Sequence, residues 1–66
     1  MMRLEDFEND FSKCAYNFRC IRLYDDTIIF ADDYEIQNNK IILIYGYHKI
    51  AYLSVYAIKK VCDDSK

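Results

Sequence analysis

The sequence NNKIILIYGYHKIAYLSVYAIKKV, residues 38–61, decides the fold of this chain. Two apolar runs, 41–47 and 50–56, flank the polar pair His48 and Lys49, and a third short apolar run follows. Isoleucine, valine and tyrosine dominate these runs, and such β-branched and aromatic residues favour half-buried strands. The stretch therefore predicts a β-hairpin followed by a closing strand.

Apolar side chains near the N-terminus recur at three- and four-residue steps, which is the pattern of an amphipathic helix. They predict a helix over residues 3–15. Asn38 and Asn39 predict a tight turn, because asparagine tolerates left-handed backbone conformations. The fold class expected is α+β, with one N-terminal helix packed on a small antiparallel sheet or on a five-stranded barrel. The predicted strands cover residues 18–24, 27–31, 34–37, 41–47, 50–56 and 58–61.

The chain has 66 residues, of which 53% are hydrophobic and 17% aromatic. That length predicts a single domain over 1–66, and the composition is too apolar for a disordered segment. A core this small supplies only ~3–5 kcal/mol, so such chains are usually stabilised by a disulfide, a metal or another chain. Residues 41–45 are apolar on both strand faces, and the helix covers one face only. We therefore expect a homo-oligomer, with Ile42 and Ile44 on the second face.

The net charge of −2 gives no general attraction to nucleic acid or to an anionic membrane. No apolar run approaches the roughly 18–20 residues that span a bilayer. The N-terminal segment carries acids where a signal peptide would carry its apolar core. We expect a cytoplasmic protein in which Cys14, Cys20 and Cys62 are reduced, small core residues.

Neither a metal centre nor a catalytic centre is predicted. His48 and the three cysteines have suitable chemistry for zinc, yet no C-x₂-C pair occurs in the sequence. A Cys–His dyad needs contact between the two side chains, and nothing local in the sequence provides it. The chain also lacks a glycine-rich phosphate loop and a nucleophile elbow, and it is short for a closed pocket. We expect no cofactor and no enzymatic activity.

Four tyrosines surround the predicted hairpin: Tyr45, Tyr47, Tyr52 and Tyr56. Tyrosine is enriched in the cores of protein–protein interfaces, so these residues are candidates for binding a partner. In the alternative interpretation they rim the core of a single chain, with their hydroxyl groups in water.

Acidic residues cluster in the predicted turns. One interpretation is an acidic surface that docks on a basic partner, as a nucleic-acid mimic would. The other is that aspartate forms good turns and keeps a hydrophobic small protein soluble. The candidates are Asp25, Asp26, Asp32, Asp33 and Glu35, with a further pair at Asp63 and Asp64.

Basic and aromatic residues are interleaved at Arg19 and Arg22, and Lys59 and Lys60 are adjacent. Aromatic rings and cations together can hold single-stranded RNA. However, residues three apart on a regular strand face opposite sides, which divides the two arginines. Solvated charges that protect strand edges from aggregation are the alternative interpretation.

Residues 54–61, SVYAIKKV, resemble the tight link between the last two strands of bacterial Sm-like RNA chaperones. In that family an aromatic-polar-Ala-Ile-x-x-Val pattern closes a small barrel of the Sm or SH3 type. The rest of the chain is similar to the family in its order of elements, and its early strands lack the family's glycine. The resemblance implies a small barrel and, as an alternative function, an RNA-binding module.

In size and composition the chain also resembles small accessory proteins of phages and prophages of low-G+C bacteria. Many such proteins bind and block a host protein, including effectors of CRISPR-type defence systems. This resemblance implies a non-enzymatic interaction protein that inhibits a bacterial host protein by steric occlusion.

Overall fold

The computed structural model describes residues 2–14 and 18–62. Within these residues one α-helix is followed by six short strands and one 3-10 turn. In this part of the chain no helix has the length and apolar character needed to cross a membrane. In chain order the elements are α1 (Leu4–Lys13), β1 (Arg19–Leu23), β2 (Ile28–Ala31), β3 (Asp33–Gln37), β4 (Lys40–Tyr45), β5 (His48–Ser54), the 3-10 turn (Val55–Ala57) and β6 (Ile58–Val61).

The described strands form two antiparallel sheets of three strands each. Sheet A has the order β2-β1-β6, and sheet B has the order β3-β4-β5. Only Asp32 separates β2 from β3, so the chain passes from one sheet to the other at this residue. The α+β class is confirmed. The ladders do not close into one barrel among the described residues, so the predicted barrel is not confirmed.

The turn between β3 and β4 is the one that the sequence predicts. Asn38 and Asn39 have positive φ angles of 51° and 65°. Positive φ at both central residues is the type I′ pattern, whose twist matches that of the flanking strands. Asparagine adopts this conformation readily because its short polar side chain bonds to the nearby backbone.

The turn between β4 and β5 lies two residues earlier than predicted. Gly46 and Tyr47 occupy it, with φ angles of 58° and 71°. The predicted break at His48 and Lys49 is wrong, because β4 ends at Tyr45 and His48 already pairs with it. Glycine adopts positive φ without steric cost, so Gly46 fixes the position of the turn.

Helix α1 supplies two aromatic side chains to the core, and Phe7 and Phe11 are both buried. Their rings meet the Tyr34 ring edge to face, with centroid distances of 5.1 and 4.8 Å. At the start of the helix the Asp6 carboxylate accepts the Arg3 backbone N–H at 3.3 Å. The core thus joins the helix to both sheets. Its buried residues are Phe7, Phe11, Ile21, Ala31, Ile41, Leu43, Val55, Ile58 and Val61.

A disulfide joins Cys14, at the end of α1, to Cys62, just after β6. Their Cα atoms are 6.1 Å apart, although the two residues are separated by 48 positions in sequence. The prediction of reduced cysteines is therefore wrong for this pair. Sequence spacing did not reveal it, because only the fold brings the end of the helix beside the end of β6. Cys20 keeps its thiol.

The outer face of sheet B needs no second chain at Ile42, contrary to expectation. The Ile42 side chain is only 1% exposed in the single chain. Its cross-strand neighbours are Glu35 and Tyr52, and directly paired residues share one face of an antiparallel sheet. The Glu35 carboxylate also lies 3.8 Å from the Lys49 ammonium group on β5. Long side chains from the two outer strands thus flank the central strand.

Candidate interaction groove

Exposed apolar side chains converge on one open groove. Among the described residues ten large hydrophobic side chains are exposed, and five of them line this groove of about 660 Å³ together with Ile29. Contiguous apolar surface of this kind marks interaction sites more often than isolated exposed residues do. We call this surface the apolar groove. Its lining residues are Phe18, Ile28, Ile29, Phe30, Tyr45 and Ile50.

Strand alternation explains one wall of the apolar groove. Along β2, Ile28 and Phe30 are exposed, whereas Ala31 is buried and Ile29 is half-buried. Successive side chains of a strand point to opposite faces, so Ile28 and Phe30 share the outward face. The sequence predicts a strand over residues 27–31 but does not predict that this strand lines a groove. Apolar residues occupy both faces of this strand, and this pattern could have indicated that one face remains exposed.

Two aromatic rings from distant parts of the chain form the other wall. Phe18, just before β1, stacks on Tyr45 at the end of β4, with ring centroids 5.1 Å apart and planes 17° apart. Aromatic pairs of this kind contribute roughly 0.5–1.5 kcal/mol beyond the area they bury. Tyr45 is a predicted site residue and lies in the groove. Phe18 lies in the predicted strand 18–24, and nothing in the sequence predicts its contact with Tyr45.

A polar cleft of about 450 Å³ adjoins the groove and shares Phe18 with it. Asp32 and Asp33 line this cleft with Arg19, Ile44 and Tyr47. The Arg19 side chain extends toward α1, where its Nε donates to the Phe11 carbonyl at 3.1 Å and its Cζ lies 4.5 Å from the centroid of the Phe11 ring. The carboxylates therefore give the cleft its acidic rim next to the apolar groove.

Asp32 also holds the tip of the neighbouring hairpin in place. Its backbone N–H donates to the Ile44 carbonyl at 2.9 Å, and its carboxylate accepts the Gly46 N–H at 3.1 Å. These two bonds tie the bend between the sheets to the β4–β5 turn. Asp32 is thus a structural residue as well as a candidate binding residue.

Tyr47 combines full exposure with an unfavourable backbone conformation. Its side chain is 100% exposed, and its φ of 71° lies in the left-handed region. For a bulky residue other than glycine this conformation costs roughly 1–2 kcal/mol. An exposed ring gives no packing energy to offset that cost. Such strain is typical of residues kept for function, and Tyr47 stands beside the acidic cleft.

The remaining predicted tyrosines lie away from the groove. Tyr52 is on the outer face of sheet B beside Ile42, and Tyr56 is in the 3-10 turn. Strand β5 separates Tyr47 from Tyr56, and its seven residues span roughly 23 Å. The four tyrosines therefore do not form one patch.

The predicted acidic residues are also divided. Asp25 and Asp26 lie in the β1–β2 turn, and Asp32 and Asp33 lie at the opposite end of β2. The Asp25 carboxylate accepts the Thr27 N–H at 2.9 Å. Bonds from the hydroxyl and then the backbone of Thr27 hold the pKa of Asp25 below its ordinary value. This pair serves its own turn, as the alternative interpretation states.

The three other predicted acidic residues, Glu35, Asp63 and Asp64, do not add to the acidic cleft among the described residues. Glu35 pairs with Lys49 across sheet B rather than facing the cleft. Asp63 and Asp64 lie outside the described residues. In the described ranges no three histidine, cysteine or acidic side chains come together as a metal site would require.

Comparison with protein families, curated proteins and solved structures finds no match to this chain. Function must therefore be inferred from the apolar groove, the acidic cleft and Tyr47. These three features are contiguous, because Phe18 lines both the groove and the cleft and Tyr47 lines the cleft.

Proposed function

We propose that this chain is a non-enzymatic interaction module that docks onto another protein through the apolar groove. One observation carries the proposal. Among the described residues, half of the exposed large hydrophobic side chains lie on this one surface. Removing that surface from water stabilises a complex by roughly 25 cal/mol per Å² of apolar area. Interface cores are likewise enriched in aromatic residues.

The cleft defines the chemistry of the partner. Asp32 and Asp33 lie at the edge of the groove, so the partner presents an apolar side chain flanked by a basic one. Tyr47 projects from the turn beside them and supplies a rigid aromatic contact at the rim. The resemblance to phage accessory proteins makes a bacterial host protein, such as a defence effector, the partner class. The action would be steric occlusion of that protein.

Cytoplasmic localisation stays a prediction. The Cys14–Cys62 disulfide is a type of bond that persists mainly in oxidising compartments and is rare in the cytoplasm. Determining the state of this bond in protein taken directly from cells would test the compartment.

Self-association through the same groove is the outcome that competes with docking onto a host protein. Two copies that bury their apolar grooves against each other would form a homodimer without any host protein. Light scattering on the isolated protein distinguishes the outcomes, because a dimer has twice the mass of one chain.

A matched pair of variants tests the docking site. Phe30→Ser removes a groove side chain that is 54% exposed, and Tyr24→Ser removes one outside the groove that is 58% exposed. The tagged wild type, Phe30→Ser and Tyr24→Ser proteins are used to capture partners from a lysate of low-G+C bacteria. A partner that is held stoichiometrically by wild type and Tyr24→Ser, and lost by Phe30→Ser, supports the proposal. Equal capture by all three proteins contradicts it.

A second candidate is an Sm-like RNA-binding module, supported by the order of elements. Strands β6, β1 and β2 are neighbours, the chain bends at Asp32 into β3, β4 and β5, and a 3-10 turn leads back to β6. We propose that this order corresponds to an open small barrel. The paired positions Arg22 and Lys60 would contribute cations on one face.

RNA binding has a distinct signature. Affinity for single-stranded RNA should fall steeply as salt increases, and the double variant Lys59→Glu with Lys60→Glu should abolish it. The same double variant should leave docking through the apolar groove intact. Unchanged RNA affinity in the double variant would exclude this second candidate.

A further inference from the structure

The outer edge of β2 is unpaired among the described residues. Sheet A has the order β2-β1-β6, so β2 bonds to β1 on one side only. On the other side of the chain, the ladder of sheet B stops at Asp32, whose N–H donates to the Ile44 carbonyl. Strand β4 ends one residue later, at Tyr45, and the turn at Gly46 reverses the chain into β5. The place beside β2 that a longer β4 would fill is therefore open.

The hydrogen-bond pattern of the β1–β2 ladder shows which backbone groups point to this open edge. The Leu23 N–H donates to the Thr27 carbonyl at 2.9 Å, so these two residues are a hydrogen-bonded pair. Hydrogen-bonded and non-hydrogen-bonded pairs alternate along an antiparallel ladder. In the observed register Ile29 is then bonded to β1, whereas Ile28 and Phe30 are not.

The other side of β1 confirms this alternation. The Cys20 carbonyl accepts the Cys62 N–H at 2.7 Å, so the backbone groups of Cys20 point toward β6 and away from β2. Cys20 is the ladder partner of Phe30. The N–H and C=O groups of Phe30 and of Ile28, two residues earlier, therefore point out of sheet A. No described residue forms a backbone hydrogen bond with them.

The side chains of these two residues line the apolar groove. Ile28 is 43% and Phe30 is 54% exposed, and Tyr45 and Ile50 line the groove with them. An extended peptide adds to an exposed sheet edge through main-chain hydrogen bonds, while its alternate side chains enter pockets. At β2 the open backbone groups and the exposed apolar side chains therefore suit the same partner conformation, which is an extended strand.

Acidic residues stand at both ends of this edge and decide what can pair with it. Asp25 and Asp26 precede β2, and Asp32 and Asp33 follow it. None of the four forms an ion pair with another described residue. A second copy of β2 would bring like charges together in either direction of pairing, which disfavours association. A strand with basic residues would instead meet opposite charges.

We propose that the partner protein contributes an extended segment that adds to β2 as a fourth strand of sheet A. Two alternate residues of the segment pair with Ile28 and Phe30, and both carry apolar side chains because paired residues share one face of a sheet. A lysine or arginine two positions beyond them lies beside Asp32 and Asp33. The inference rests on the proposed docking function and adds the conformation and sequence pattern of the partner segment.

Amide hydrogen exchange in the isotope-labelled full chain, followed residue by residue by NMR, tests the open edge first. In the free protein the Ile28 and Phe30 amides should exchange quickly, because they donate to no described residue. The Ile29 and Ala31 amides lie on the same strand but are bonded to β1, so they are the internal control and should exchange slowly. Slow exchange at all four positions, increasing with protein concentration, would make a second copy the occupant and overturn the proposal.

A synthetic peptide tests strand addition directly. The probe is Lys-Thr-Val-Thr-Val-Thr-Lys with blocked termini, which presents the same alternating pattern in either direction. At a saturating concentration it should slow exchange of the Ile28 and Phe30 amides by about tenfold or more. The matched peptide has glutamate in place of both lysines and should bind about tenfold more weakly, because it meets like charges.

The possible results separate this inference from the docking function. Peptide-induced changes confined to the side-chain signals of Phe18, Tyr45 and Ile50 would overturn strand addition and leave docking through the groove standing. Absence of any change would also overturn strand addition, whereas capture by the Phe30→Ser variant decides docking separately. Equal protection by the basic and acidic peptides would contradict the assigned role of the aspartates.

A pair of variants at Ile28 separates backbone pairing from side-chain contact. Ile28→Ala and Ile28→Pro both remove the isoleucine side chain, but only proline also removes the outward N–H. An edge strand tolerates proline where that N–H faces solvent. Ile28→Ala should still bind the probe, and Ile28→Pro should not. Equal binding by the two variants would overturn the proposal, and the exchange experiment on the wild type decides it if Ile28→Pro does not fold.

Discussion

The two ends of strand β4 differ in what covers them. At its start Ile41 and Leu43 are both fully buried. At its end Tyr45 remains 43% exposed, although it lies on the same strand and is also hydrophobic. Residue type does not explain this difference, because all three residues favour burial in a sheet.

The reach of the helix explains the difference. Phe7 and Phe11 of α1 belong to the cluster that buries the start of β4. The helix has 10 residues and is therefore about 15 Å long, which leaves the end of the hairpin uncovered. There Phe18 stacks on Tyr45 without sealing it from water. One strand thus contributes to the core at one end and to the exposed apolar groove at the other.

Truncation under the helix should have the largest effect on stability. Leu43→Ala leaves a cavity in the core and should lower the free energy of unfolding by ~2–5 kcal/mol. In so small a protein this is enough to unfold most of the population, which circular dichroism in a urea titration would show. Ile50→Ala, at the exposed end, is the control and should cost much less. Equal losses would mean that the two ends do not differ in burial.

Reduction of the Cys14–Cys62 disulfide, at the end of α1, should have the next largest effect on stability. The bond closes a loop with a sequence separation of 48. Loop-entropy arguments give a stabilisation of about 4 kcal/mol for a loop of this length, with typical measured values of ~2–4 kcal/mol. Thermal unfolding with and without a reductant measures it. A melting temperature that does not change on reduction would show that the bond does not stabilise the folded chain.

Substitution of Tyr47, in the turn at the exposed end of the β4–β5 hairpin, should affect binding and stability in opposite directions. Tyr47→Gly relieves the left-handed strain and should raise the free energy of unfolding by about 1 kcal/mol. The same change should weaken capture of the partner, because the projecting ring is lost. Asn39→Gly in the other turn is the control and should alter neither property much. A more stable variant with undiminished binding would show that Tyr47 is not part of the binding site.

The smallest expected effect is a loss of stability at high pH through Tyr34, in the aromatic cluster beneath α1. Burial, with smaller contributions from Glu8 and Asp33, raises the pKa of Tyr34 above its ordinary value of 10.0. The folded chain therefore holds this proton more tightly than the unfolded chain does. The resulting stability is fully present below pH 10.0 and is lost as pH rises through the folded pKa.

Urea titrations at increasing alkaline pH would measure this effect. Tyr34→Phe should lose less stability over that interval than the wild type, since phenylalanine has no proton to release. Identical pH dependence in both proteins would mean that Tyr34 titrates normally in the folded state.

Local patterns were enough to predict much of the fold. Asn38 and Asn39 predicted their turn, and the alternating apolar residues predicted the helix and most strands. The other hairpin turn was misplaced, because the polarity of His48 and Lys49 was weighed above the backbone freedom of Gly46. Polar residues indicate exposure to solvent, and the exposed end of a strand can be as polar as a turn.

Features that depend on contacts distant in sequence could not be predicted. The pairing of Cys14 with Cys62 and the stacking of Phe18 on Tyr45 both arise only when the sheets pack together. Tyr45 and Tyr47 were predicted as site residues from their residue type. The groove wall at Ile28 and Phe30 was not, because a run of apolar residues does not show which of them the core leaves uncovered.

The Cys14–Cys62 bond turns the strand-bearing part of the protein into a covalent ring. All the strands described lie between these two residues. A protease that cuts one exposed turn, for example beside Lys40 or Lys49, opens the ring without releasing a fragment. A nicked molecule would therefore run as a single band on a non-reducing gel and separate into two fragments only after reduction. The halves of a nicked molecule also stay at a high effective concentration, which favours their reassembly around the cut.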